Sequence, residues 1–246
     1  MKFKKNKIIT CTFNMGVYSS TDVHLRPARE FIPEWWKKIP RDVPEKDLDF
    51  PVAGKELIPN GRTVKYCPSF SDIFNLGYVL PAPVDMWFSV AKDNYDINYW
   101  KVANQAFEIE LHHDTQMIRH VDTNIKKVFK FVSPIQIIGP KGYSLMQLPM
   151  FYHYEQMKDW YVPYGVIDID VHHEVNPQIF YISDNDEVYI KAGTPLCYYI
   201  PFKRDNVNVE MKPMTEELKT KVIKSQYLAH RRFSKGYIRK RYDIQR

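Results

Sequence analysis

The segment LHHDTQMIRH, residues 111–120, carries the densest set of side chains able to do chemistry. His112 and Asp114 form an H-x-D pair directly after a strand-like run, and His172 or His173 follows about 60 residues later near the end of another. Two imidazoles and one carboxylate on a common β face would hold Fe2+ and leave three positions for substrate and oxygen. In that reading Arg204, after the last long strand, pairs with a carboxylate cosubstrate. A cupin-like variant draws on His113, His120 or Glu174 instead. Eight histidines in 246 residues make such spacings easy to find, so the competing reading keeps these side chains in polar loops with no cofactor.

Asp168 and Asp170 are two apart, so a strand would present both carboxylates on one face. Mutual repulsion would then raise one pKa and suit acid/base work, whereas the plainer reading is a pair of solvated sheet-face acids. Ser144 in GYSLM lacks a nucleophile elbow, and Cys67 and Cys197 have no nucleophile context. The sequence contains no Walker pattern and no dinucleotide fingerprint. Cys11, Cys67 and Cys197 are too few and too scattered for a disulfide framework or a zinc motif.

Charge divides the chain. The formal net charge is +6, but residues 1–7 carry +4 and residues 218–246 carry +9, which leaves the intervening body at −7. A cationic tail can bind phosphates or an acidic protein surface by releasing counterions. Arg231, Arg232, Lys235, Arg239, Lys240 and Arg241 are the candidate contacts, interleaved with Phe233, Tyr237 and Tyr242 that suit base stacking. The same tail can instead lie solvated or on the acidic body.

The elements that must position these groups are mainly strands. Seventeen prolines against nine glycines, with 15% aromatics, describe short, sharply punctuated β structure. Strands are expected near 8–13, over 84–89, in FEIEL (107–111), on both sides of GPKG (139–142) as a hairpin, over 164–171, 178–182 and 187–190, and in LCYYIPFKR (196–204). This predicts a mainly β fold, an antiparallel β-sandwich of jelly-roll type, with a double-stranded β-helix as the alternative closure. Two helices flank it. Pro33 and Glu34 favour a start, and Lys37, Lys38 and Pro40 an end, for a helix over 33–38. Thr215, Glu216 and Glu217 open an amphipathic helix to about Arg231, with Leu218, Val222, Ile223 and Tyr227 as its stripe. A short helix around Ile73, Phe74 and Leu76, capped by Ser69 or Ser71, ends at Gly77. Trp35 and Trp36 are adjacent and cannot share a helix face, so one packs inward while the other covers a neighbouring strand or, if exposed, is a partner contact; the competing reading packs both internally.

The resulting division is an extended arm with a short helix over 1–62, a β-sandwich body over 63–212, and a helix with a basic tail over 213–246. No apolar run approaches the roughly 20 residues that cross a bilayer, and the basic start lacks a secretory core, so a chain without membrane contact is expected.

PAREFIPEWWKKIP (27–40), TVKYCPSFSDIFNLGYVLPAPVDM (63–86), FVSPIQIIGPKGYSLM (131–146), GVIDID (165–170) and IKAGTPLCYYIPFKR (190–204) together resemble an uncharacterised protein family of tailed phages and marine viruses, with distant bacterial relatives. The resemblance covers most of residues 27–204. It implies a viral origin and an all-β body, and it brings no catalytic role to any position. The chain departs from the family at Ile135, where an aromatic is expected, and in VNPQIF (175–180), where a more aromatic strand is usual.

The reading that follows is a non-enzymatic phage structural or assembly accessory protein, located in the virion or host cytoplasm. It would act through virion or assembly proteins or through self-association, with Trp35, Trp36 and the tail as contacts and no cofactor. Two alternatives remain beside it: a non-haem iron oxygenase using His112, Asp114 and His172, and a nucleic-acid-binding accessory protein using the tail.

Overall fold

Alternation of apolar and polar residues sets most of the strands in the computed structural model, which describes residues 7–12, 24–43, 63–89, 99–102, 107–120 and 123–230. Fourteen strands are present among these residues: β1 (Ile9–Thr12), β2 (Arg26–Pro27), β3 (Tyr78–Pro81), β4 (Met86–Ser89), β5 (Tyr99–Val102), β6 (Glu108–Leu111), β7 (Lys127–Val132), β8 (Ile135–Ile138), β9 (Tyr143–Pro149), β10 (Trp160–Tyr161), β11 (Gly165–Ile167), β12 (Gln178–Tyr181), β13 (Glu187–Ile190) and β14 (Pro195–Lys203). All pair antiparallel, in sheets ordered β11-β9-β14-β3-β2, β10-β12-β7-β6, β13-β4-β5 and β1-β8. The protein is therefore a mainly β, antiparallel sandwich.

Inward-facing residues of the larger sheets meet in one core. Leu80, Leu145, Cys197 and Tyr199 come from the five-stranded sheet, Ile109, Phe129, Phe131, Ile179 and Tyr181 from the four-stranded one, and Met86, Phe88, Val188 and Ile190 from the three-stranded one. Phe88 and Phe129 join two of these sheets, with ring centroids 4.5 Å apart. Each such side chain contributes about 1.5–3 kcal/mol by leaving water. Inside the core the Tyr199 hydroxyl donates to Gln147 Oε1 (2.9 Å), and Gln147 Nε2 donates to the carbonyl of Pro163 (3.1 Å).

The N-terminal segment is woven into the sheets, since β1 pairs with β8 and β2 with β3. The first helix, α1 (Glu34–Lys38), forms over the expected residues, with Pro33 at its N-cap. The second, α2 (Pro68–Ile73), begins at Cys67–Pro68 rather than at a serine cap, because proline suits the first helical position. Gly77 then turns the chain into β3 at φ +68°, where a Cβ would stand 2.3 Å from the carbonyl oxygen of Tyr199.

The expected hairpin about GPKG does not form. β8 pairs with β1, while β9 lies between β11 and β14. The loop is held from outside instead: Gly139 N–H donates to Ile169 O (2.9 Å) and Gly142 N–H to the Asp170 carboxylate (2.7 Å). β12 and β13, on either side of SDND, likewise go to different sheets.

A compact unit spans Met1–Arg204 and a second spans Asp205–Arg246. The second contains α3 (Glu216–His230), whose first turn is capped by Thr215 Oγ1 accepting from Leu218 N–H (3.3 Å). Val222 and Ile223 of its apolar stripe are exposed. Among the described residues no helix is long and apolar enough to cross a membrane.

Candidate small-molecule pocket

The histidines of LHHDTQMIRH bind their own loop. His112 N–H donates to Val128 O as β6 leaves β7 (3.0 Å). His113 caps a 3-10 turn, Asp114–Gln116, in a reciprocal box: its Nδ1 accepts from Thr115 N–H (3.3 Å), and its own N–H donates to Gln116 Oε1 (2.8 Å). The same amide oxygen lies 3.1 Å from His112 Nδ1. An amide oxygen only accepts, so Nδ1 carries the proton there and Nε2 is left as a lone-pair acceptor. His112 Nε2 is buried and has no partner among the described residues. His120 Nε2 donates to Thr115 O (2.7 Å), closing a second 3-10 turn, Ile118–His120, onto the first.

Asp114 faces a cation rather than a histidine. Lys127 Nζ lies 3.0 and 3.1 Å from its two carboxylate oxygens. The lysine side chain is 6% exposed and the aspartate 26%. An ammonium that deep in the structure is stable only with such a partner.

Between these turns and the corner after β12 lies a cavity of about 570 Å³. Its apolar walls are Ile118, Ile125 and Ile182, and Asp114, Arg119, Lys126 and Asp184 bring charge to it. Lys126 Nζ donates to Ser183 O and to Asp184, both at 2.6 Å. Arg119 has no carboxylate partner among the described residues. The pocket therefore offers one uncommitted guanidinium, a fixed carboxylate and an aliphatic wall, and a volume of this size suits a small organic molecule.

The metal triad expected from the sequence is not assembled. Asp114 is committed to Lys127, and His112 sits beside Val128 at the start of β7. His172 is exposed in the turn after β11, where its N–H donates to Asp168 O (2.8 Å). His173, next to it, has Nδ1 within 3.1 Å of Ile169 O and 3.2 Å of Ile137 O. Among the described residues no group of three or more His, Cys, Asp or Glu side chains is gathered as metal ligands. Strand order explains the separation, because the two loops leave different sheets.

Asp168 and Asp170 lie past the end of β11 and both grip Arg204, at 2.7 and 2.6 Å. Ser144 Oγ donates to Asp168 (2.6 Å) and Gly142 N–H to Asp170. The Ser144 hydroxyl, then the Arg204 guanidinium, hold the Asp168 carboxyl below the usual range; Arg204, then Gly142 N–H, do the same for Asp170. Neither is the raised member of an acid/base dyad, as their spacing had suggested, because a shared cation outweighs their repulsion. Arg204 is correspondingly unavailable for a cosubstrate.

Trp36 is buried against Phe74, with centroids 5.0 Å apart, and Trp35 is half-buried with its indole N–H donated to Tyr152 O (2.6 Å). Both tryptophans thus serve intramolecular packing. Arg231, Arg232, Lys235, Arg239, Lys240 and Arg241 lie outside the described residues.

Lys127 and Arg119 were missed in the sequence. Lys127 had left a signal: it shares the alternation phase of Phe129 and Phe131, so an inward β7 face carries a charge that must find a partner. Arg119 left none.

No protein-family model matches the chain, and no curated protein matches it. Similar solved structures include the dUTPase of EIAV, at 11% identity over 57% of this chain and 84% of that one, with a TM-score of 0.32. A variant of the dUTPase from phage phi11 of S. aureus is 10% identical over 57% of this chain and 85% of its own, at 0.32. A Staphylococcus bacteriophage 80alpha dUTPase variant is 8% identical over 58% and 85%, at 0.33. These are enzymes, and the reading of the chain as a non-enzymatic phage structural or assembly protein is corrected on that finding. At these scores the likeness brings neither substrate nor active-site residues to this chain.

Proposed function

We propose that the protein is an enzyme that takes a small anionic organic molecule, bearing a phosphate or carboxylate, into the pocket walled by Ile118, Ile125 and Ile182. The observation that carries this reading is Arg119: an exposed guanidinium on a cavity of mixed polar and apolar lining, with no acidic partner among the described residues. A planar guanidinium meets phosphate or carboxylate oxygens two at a time. Lys126 is already paired with Asp184, so Arg119 is the cation left for the ligand, and the isoleucines take the ligand's apolar part.

Asp114, held by Lys127, is the group placed to accept a proton from a water or hydroxyl above the pocket. The reaction class it serves is hydrolysis or transfer begun by that proton abstraction. The motifs at 27–40, 63–86 and 190–204 support a viral origin, with the host cytoplasm as the place of action.

The test is a turnover screen over phosphorylated and carboxylated metabolites, run in parallel on the wild type, Arg119→Ala and Asp114→Asn. The reading expects a substrate whose binding is lost in Arg119→Ala and whose turnover, but not binding, is lost in Asp114→Asn. A substrate handled equally well by all three proteins overturns it.

A further inference from the structure

Residues 206–211, Asn-Val-Asn-Val-Glu-Met, alternate strictly between polar and apolar, which is the pattern of a half-buried strand. They belong to no strand or helix. Val207, Val209 and Met211, which would share one strand face, are 82%, 91% and 95% exposed. A segment with strand patterning and no sheet is a donor for β-augmentation.

The compact unit carries a matching acceptor. β11 is the outermost strand of the five-stranded sheet and, among the described residues, pairs only with β9. Tyr164 and Val166 on this edge are 71% and 60% exposed, and Val171 in the turn beyond it is 77% exposed. Val166 stands opposite Met146 on β9, which stands opposite Ile200 on β14, so one apolar row runs outward across the sheet and stops at the edge. An added strand would continue that row with a valine or methionine.

Chain reach decides whose edge is filled. β14, which ends just before Arg204, has β9 on one side and β3 on the other. Either free edge of its sheet is three strand spacings away, about 14 Å. The three residue steps from Arg204 to Val207 span at most about 10 Å. Asn206 and Val207 thus cannot reach the edge of their own sheet, so the whole alternating segment can line a β11 edge only on another copy.

We propose that residues 206–211 of one copy add antiparallel to the β11 edge of a second copy of this chain, each copy giving and receiving one strand. Main-chain hydrogen bonds supply the attachment. The apolar phase of the segment sets its register against Val166.

Sedimentation velocity on the full chain at micromolar concentration tests this, with Val209→Pro and Val166→Lys as variants. Proline removes a ladder donor, and lysine at an edge repels strand addition. The wild type should sediment as an oligomer and both variants as single chains with unchanged circular dichroism. A single-chain wild type, or variants that keep its oligomeric mass, overturns the proposal. In a Cys11→Ser, Cys67→Ser background, oxidation of Val166→Cys with Val209→Cys should give a covalent oligomer on a denaturing gel. A cross-link confined to one chain, or none, counts against it.

Discussion

Lys127 Nζ is held by Asp114 at 3.0 Å, and the two side chains come from elements that flank the pocket: the first residue of β7 and the 3-10 turn after β6. The pair ties the loop that bears Arg119 to the core sheet. Asp114→Ala should therefore destabilise the protein by about 2–4 kcal/mol, because it strands a buried ammonium. The double variant Asp114→Asn, Lys127→Met should recover most of that loss. Urea unfolding of the wild type and these two variants checks this, and equal losses in the single and double variants would deny the coupling.

Gln147 and Tyr199 form a second buried polar pair, joined at 2.9 Å. Gln147→Leu should cost about 1–3 kcal/mol by leaving the Tyr199 hydroxyl without its acceptor. Adding Tyr199→Phe should return part of it. A thermodynamic cycle from guanidinium unfolding measures the coupling, and strict additivity is the contrary result.

Arg204 gives the fold an acid-sensitive joint. Both carboxyls it grips titrate below the ordinary aspartate range. The unfolded chain thus binds their protons first, so the stability they contribute is full above that range and is lost as pH falls through their depressed values. Arg204→Gln should flatten the stability profile below about pH 4, read from thermal midpoints across acid buffers. An unchanged slope would mean that the joint contributes nothing.

His153 acts in a higher window. Burial lowers its pKa, against the opposing hydrogen bond to Phe31 O at 3.0 Å. It is neutral in the fold and protonates first when unfolded, so stability should decline as pH drops from the ordinary histidine range toward its depressed value. His153→Gln should remove that decline while leaving stability at neutral pH nearly intact. A profile identical to the wild type would contradict the assignment.

Local signals in the sequence were reliable because they depend on neighbours. Pro33, Glu34, Lys37 and Lys38 fixed α1 to within a residue, and alternation marked β4, β6, β12 and β13. Pairing was not legible. GPKG reads as a hairpin turn, but Ile169 and Asp170, distant in the chain, hold its amides and send β8 and β9 to separate sheets.

The site was half legible. Asp114 stood out in the sequence, yet its partner is Lys127 rather than His112 or His172. Ile182 and Asp184 reach the pocket from the corner after β12, a juxtaposition created by sheet order and invisible in spacing.

Calorimetric titration of the wild type and Arg119→Ala with inorganic pyrophosphate decides whether Arg119 anchors an anion in this pocket. Saturable binding at one site on the wild type is expected, weakened at least about tenfold in the variant, as follows from removal of a charge-assisted pair worth about 1.5–3 kcal/mol. Absence of saturable binding to the wild type, or equal affinity in both proteins, would contradict it.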